Sequence, residues 1–184
     1  MRTFASSTGI PNIVMRRGPE SLPPLALPPG VSLYPFGEDG PAVWEHIIGT
    51  AFERRMSFKA VLGSNEAFRP ERVIFLAREG LPVAVAAAWQ RRKDPPGTGY
   101  LHYVGVLPEA RGMRLGYWVS LAALHQMRRE GNTLAMLETK DWRIPAIGIY
   151  FKLGFVPDLT GHRSYPARWE KILAQLRWQR GDHP

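Results

Sequence analysis

No cysteine occurs in the 184 residues, which excludes structural disulfides, cysteine-ligated zinc and a thiol acyl-enzyme intermediate. Any group transfer must proceed without a protein thiolate. Long apolar runs are missing too: nothing approaches the roughly 18 consecutive apolar residues of a membrane span. The opening MRTFASSTGIPNIVMRR has no compact apolar core of a secretory signal. The expectation is a cytoplasmic protein with no membrane partner. Acidic residues are the scarcer charge, 16 Asp and Glu against 24 Lys and Arg, for a formal charge of +8. Such an excess suits nucleic acid, an anionic surface or a small ligand with several phosphates. The basic residues are scattered, with short clusters only at Arg16-Arg17, Arg91-Arg92-Lys93 and Arg128-Arg129. A dedicated nucleic-acid binder concentrates them in a stripe, so nucleic acid is the disfavoured partner.

What is present is of globular composition, 45% hydrophobic and 22% charged, at a length that suits one domain. The proline clusters Leu22-Pro23-Pro24 and Leu27-Pro28-Pro29-Gly30 fix φ and remove donors. Residues 1–30 therefore read as a Pro-rich arm and 31–184 as a single domain. Within the arm, Ile13-Val14-Met15 could pair at a sheet edge. Val31 to Pro35 alternates as a strand, Pro41 to Phe52 reads as a helix, and Ser57 to Leu62 as a second short one. Arg72 to Arg78, Leu81 to Gln90 and Tyr100 to Val106 form an antiparallel meander, the first two joined by the turn pair Glu79-Gly80. Leu115 to Arg129 is a helix apolar nearly all round until His125, which implies burial against a sheet, and Gly131-Asn132 stops it. A strand from Thr133 to Thr139, a helix from Pro145 to Leu153, a last strand at Phe155-Val156 and an amphipathic helix from Ala167 to Arg180 follow. Strand, helix, strand, helix, strand in succession predicts an α/β fold, partly parallel.

The stretch from Val104 to Gly116 runs from a strand through a tight turn into a helix. A helix start leaves four N–H groups without partners and carries partial positive charge, so Gly112 to Gly116 can wrap a pyrophosphate while Arg111 and Arg114 add full charges. Gly105, inside a strand, marks a bulge or the close approach of a ligand or another backbone. The competing reading of Arg-Gly-x-x-x-Gly is an ordinary strand-to-helix turn with solvated arginines.

A second motif follows one strand later: Ala146 to Phe155, of the form A-x-x-x-Y-x-K-x-G-F. With the earlier V-x-V-x-P at Val104 to Pro108 and R-G-x-x-L-G at Arg111 to Gly116, the run from Val31 to Asp158 resembles the GNAT superfamily of CoA-dependent N-acyltransferases. The resemblance implies a mixed, mostly antiparallel central sheet flanked by helices and splayed at the acyl-CoA-binding strand. It implies that Val104, Gly105 and Val106 offer main-chain groups to the pantetheine arm. Gly112, Met113, Arg114, Leu115, Gly116 and Tyr117 would hold the pyrophosphate, and Tyr150 would protonate the leaving thiolate. Two positions depart from the family pattern: Arg114 stands where glycine is common, and Arg143 where many members have a cofactor-contacting asparagine. Both add positive charge beside a polyanion. A core aromatic is the competing reading of Tyr150.

Direct transfer in a ternary complex with acetyl-CoA needs a neutral amine, donors for the oxyanion and an acid for sulfur, and no metal. Backbone N–H groups near Gly105 or Val106 are candidate oxyanion donors, and His102 and Glu138 candidate bases. Trp89 and Trp142 read as packing, and Arg163 as a candidate contact for an acidic group. Arg168, Lys171, Arg177 and Arg180 on the last helix read as a solvated basic face. The expected partners are acetyl-CoA and a small-molecule or peptide amine, with a homodimer among the forms allowed. Two rivals stay open: a non-catalytic acyl-CoA-binding module, and a GNAT-fold protein acting on a nucleic-acid-associated or ribosomal substrate.

Overall fold

The computed structural model describes residues 10–18 and 20–180. The chain divides into two compact units, residues 18–135 and residues 1–17 with 136–184.

The first unit is built on four antiparallel strands in the order β2 (Val31–Tyr34), β3 (Val73–Arg78), β4 (Leu81–Trp89) and β5 (Thr98–Val106). The expected β3–β4 hairpin turns on Glu79 and Gly80, both left-handed at φ 51° and 82°, as the favoured two-residue turn requires. Val83 to Ala88 on β4 are all buried. Four of those six are alanines, and small side chains on both faces let helices pack closely. Helix α1 (Gly40–Ala51) rests on β4 and β5, and α2 (Leu115–Arg129) on β3, β4 and β5. The α2 residues Leu115, Val119, Leu121, Ala122, Ala123, Leu124 and Met127 are buried, as the all-round apolar pattern predicted. The Pro-rich segment is tied to α2: Arg128 donates to the Glu20 carbonyl, and His125 Nε2 lies 2.9 Å from the Pro23 carbonyl oxygen. The helix expected over Ser57 to Leu62 is one wide turn, Lys59–Gly63.

The second unit has strand order β6 (Leu134–Thr139), β1 (Ile13–Arg17), β7 (Val156–Pro157), with β1 and β7 antiparallel. The edge placement expected for Ile13-Val14-Met15 is corrected here. The segment lies between two strands, and burial of Ile13 and Met15 explains why so short a run is apolar. Helix α3 (Ile144–Lys152) ends where Arg17 donates to the Leu153 carbonyl at 2.8 Å, a cation placed at the negative end of a helix. Helix α4 (Tyr165–Arg180) buries Trp169 against Phe151. Lys171 and Arg177 are exposed, Arg168 is not, and the side chain of Arg180 lies outside the described residues. The α/β class with mainly antiparallel pairing agrees with expectation. No helix among the described residues is long and apolar enough to cross a membrane.

Two carboxylates tie this unit together. Asp141 takes two bonds from Arg168, which hold its carboxyl below the usual range. For Asp158, burial pushes the other way but is outweighed by the Thr160 N–H and Arg16. A depressed folded value means the contribution is fully present above the ordinary 3.8 and lost as pH falls through the folded values. Urea unfolding between about pH 5 and pH 2 should therefore show stability falling with acidification, and Asp158→Asn should flatten part of that fall. An unchanged slope in the variant would show that Asp158 contributes nothing to it.

Candidate active site

The turn into α2 is the most anion-ready place in the first unit. Gly112 and Arg114 are both left-handed, at φ 84° and 58°, alternating with Met113 so that successive N–H groups line a concave nest. Arg114 is the N-cap residue, no side chain caps the helix, and the first turn holds no acidic residue. Among the described residues nothing accepts from the N–H groups of Gly112, Met113, Arg114, Leu115 or Gly116; the first helical donors with partners are Tyr117 and Trp118, to the Arg114 carbonyl. An uncapped helix start costs about 1 kcal/mol, which a bound anion offsets. Arg111 and Arg114 are exposed, and the Arg114 guanidinium lies 5.7 Å over the Tyr117 ring. The left-handed φ of Arg114 supplies the reason that glycine is the residue common at this place in the resembled family.

Strand β5 departs from expectation in one respect. Val85 pairs with Gly105 but Ala87 pairs with His102, so one residue is extra between them. The left-handed residue there is Tyr103, at φ 48°, not Gly105. Parity confirms the insertion: a Cβ on Gly99 would meet Met127 of α2, whereas one on Gly105 would meet Ile48 of α1 at 2.8 Å, although both are odd-numbered. Gly105 is glycine because α1 packs on it, which corrects the reading of a ligand slot at that Cα. Val104 and Val106 keep partial exposure on either side.

The insertion also sets two consecutive side chains side by side, His102 and Tyr103, with ring centroids 3.9 Å apart. Burial pushes the His102 pKa down to about 3, helped by the positive charge of Arg91. The imidazole is therefore neutral at physiological pH and a weak proton acceptor, though its free lone pair still accepts hydrogen bonds.

Glu138, Arg143 and Tyr150 belong to the second unit. Glu138, half-buried on β6, accepts from the Asn12 side chain at 3.4 Å. Arg143 is the exposed residue before α3, where no side chain caps the helix. The Tyr150 ring is buried with Phe155 edge-on at 6.0 Å. Burial pushes its pKa up to about 12, against the pull of Arg143. No described residue takes a hydrogen bond from its hydroxyl. Trp89 is buried as expected, but Trp142 is 72% exposed and is not packing. Arg163 is exposed. Periodicity could not have singled out Tyr103, since nothing in the sequence marks a left-handed tyrosine.

Residues 40–155 match the model of the acetyltransferase (GNAT) family. The chain belongs to that family. It is 34% identical over 147 residues to a mycothiol acetyltransferase of Pseudarthrobacter chlorophenolicus, covering 73% of this chain and 45% of that protein. A mycothiol acetyltransferase of Sanguibacter keddieii is 32% identical over 149 residues, 74% of this chain and 47% of that protein. The match thus spans about half the length of these relatives. Among solved structures, a GCN5-related N-acetyltransferase from Kribbella flavida superposes with a TM-score of 0.60 at 25% identity, over 80% of this chain and 55% of that one.

Two substitutions test these GNAT backbone assignments by stability alone. Arg114→Gly removes a left-handed side chain and should leave the unfolding free energy unchanged or raise it by up to about 1 kcal/mol. Gly105→Val should cost about 1–3 kcal/mol through its clash with α1, read by urea denaturation.

Proposed function

We propose that this chain is an N-acetyltransferase that carries the acetyl group of acetyl-CoA directly to an amine. The observation that supports this most is the uncapped, arginine-flanked start of α2, whose nest of donors suits a pyrophosphate. Arg111 and Arg114 would neutralise that pyrophosphate, with Gly112, Met113, Leu115, Gly116 and Tyr117 framing it; for Arg143 the family resemblance alone suggests a cofactor contact. Val104 to Val106 would meet the pantetheine arm with main-chain groups.

In the transfer, the amine nitrogen bonds to the acyl carbon, the carbon–sulfur bond breaks with sulfur leaving as a thiolate, and the proton that nitrogen loses passes to solvent. Backbone N–H groups around Gly105 and Val106 would hold the developing oxyanion. Tyr150, held protonated by burial, would donate a hydrogen bond to the thiolate. Its pKa of about 12 exceeds a thiol's by roughly 3.5 units, so a shared proton fits better than complete transfer. His102, neutral, would accept a hydrogen bond from the attacking amine, and Glu138 stays the second candidate for that role.

Thermal unfolding with and without acetyl-CoA should show stabilisation of about 2.7 kcal/mol at 100 times Kd, and the Arg111→Ala, Arg114→Ala double variant should lose most of it. No shift at millimolar acetyl-CoA would overturn the assignment. Tyr150→Phe should lower kcat by about 10²-fold with acetyl-CoA affinity unchanged, and wild-type kcat should show no falling limb from tyrosine ionisation below about pH 11. Intact turnover in Tyr150→Phe would remove its role, and a chain that binds acetyl-CoA without turnover would be a binding module.

A further inference from the structure

The first unit carries a second concentration of cationic side chains. Most of its arginines are engaged: Arg72 with Glu130, Arg78 with Glu79, Arg91 with Asp94, Arg92 with Glu66, Arg128 with the Glu20 carbonyl and Arg129 with Gln126. Arg69, Arg128 and Arg129 have only neutral acceptors, and apart from Arg111 and Arg114 at the α2 turn the exposed cations of this unit with no hydrogen-bond or ion-pair partner among the described residues are Arg54, Arg55, Lys59 and Lys93, the first three close together in sequence.

Arg54 is held where it is by the end of α1. Its N–H donates to the Gly49 carbonyl at 3.0 Å and that of Glu53 to Thr50, with Glu53 left-handed at φ 53°. That closing position is one glycine ordinarily takes. The aromatic rings of the same unit gather beside it. Tyr103 meets Trp44 at 5.2 Å and Phe52 at 6.3 Å, and His102 stacks against its other side. Tyr103 keeps part of its surface exposed, and burial raises its pKa while the charge of Arg54 lowers it, which places the guanidinium within electrostatic reach of the phenol.

Two details mark this wall as more than core. A bulky residue with positive φ is strained, and here two non-glycine residues, Glu53 and Tyr103, carry that strain at one place. Beneath the wall, the Trp44 Nε1 is buried with no acceptor, an arrangement that costs about 1–3 kcal/mol when left unmet.

We propose that the acceptor is an amine bearing an anionic group, whose uncharged part lies on the Tyr103 ring and whose anion is held by Arg54, with Arg55 and Lys59 adding charge. The inference rests on the acetyltransferase reading, and it deepens that reading by naming a substrate class. Tyr103 precedes Val104 on the same strand, so an amine anchored on its ring is adjacent to the backbone that would meet the acyl group. A cationic rim also disfavours protonation of a bound amine, and only the neutral amine is a nucleophile. The wall thus acts on both recognition and reactivity.

The test uses ¹⁵N-labelled tryptophan, which gives one indole signal for each of the 6 tryptophans, that of Trp44 being assigned with Trp44→Phe. The full chain is titrated with matched probes: glucosamine 6-phosphate against glucosamine, and L-phenylalanine against phenethylamine. The expected result is movement of the Trp44 signal with at least tenfold tighter binding of the anionic member of a pair, the responding pair distinguishing phosphate from carboxylate. Arg54→Ala should bring that ratio close to one, while Tyr103→Leu weakens both members and Tyr103→Phe neither. Equal binding within both pairs, an unchanged ratio in Arg54→Ala, or no movement of Trp44 with any probe would overturn the proposal. Loss of the acetyl-CoA thermal shift would instead overturn the underlying reading, since the tryptophan signals respond without acetyl-CoA.

Discussion

Burial of α2 on β3, β4 and β5 is the constraint from which the candidate site follows. A helix packed on nearly all sides cannot rotate or slide to satisfy its own first turn. Each fully buried leucine or valine contributes on the order of 1.5–3 kcal/mol, and several of them outweigh the loss from leaving the first N–H groups uncapped. The sheet therefore holds a row of unpaired donors in a fixed direction at the end of β5. Packing energy is what would make an anion site at this turn permanent rather than induced.

The same economy appears in the backbone. Arg114, Tyr103 and Glu53 all adopt left-handed angles that glycine would take without strain. Two of them place a side chain that glycine lacks, a guanidinium over Tyr117 and a ring against Trp44, and the third, Glu53, closes α1 ahead of Arg54. The places where glycine is present have the opposite logic. Gly105 and Gly99 are small because α1 and α2 press on opposite faces of β5.

How much of this could be read in advance follows from what each signal depends on. The meander, the Glu79-Gly80 hairpin, both ends of α2 and the start of α3 rest on local periodicity and turn chemistry, and they were legible. The turn into α2, with its left-handed Gly112 and uncapped helix start, was legible because glycine spacing and helix polarity are local too. The role of Ile13 to Met15 was not, since pairing with a strand near residue 156 is a contact of high sequence separation. A glycine in a strand suggests a bulge at Gly105, but the left-handed residue of the insertion is Tyr103, two positions earlier. Only the register against β4 reveals that, because a sequence carries no record of which residue faces which. Trp142 was expected to pack for want of any sign of its surroundings.

The acid–base assignments turn on a distinction between charge and hydrogen bonding. Tyr150 is buried and His102 half-buried, and desolvation drives both toward neutrality, the imidazole downward to about 3 and the phenol upward to about 12. A gap that wide makes neither group an efficient carrier of a whole proton near pH 7. Under the proposed mechanism each would serve instead as a hydrogen-bonding partner, one accepting and one donating. Direct attack of an amine on a thioester asks for that more than for strong acids and bases, because the nucleophile must arrive already neutral. Selection of the neutral amine would then fall to the electrostatics of the surface it binds, where the proposed cationic rim lowers the protonated fraction before attack, while the proton that nitrogen loses on attack leaves to solvent.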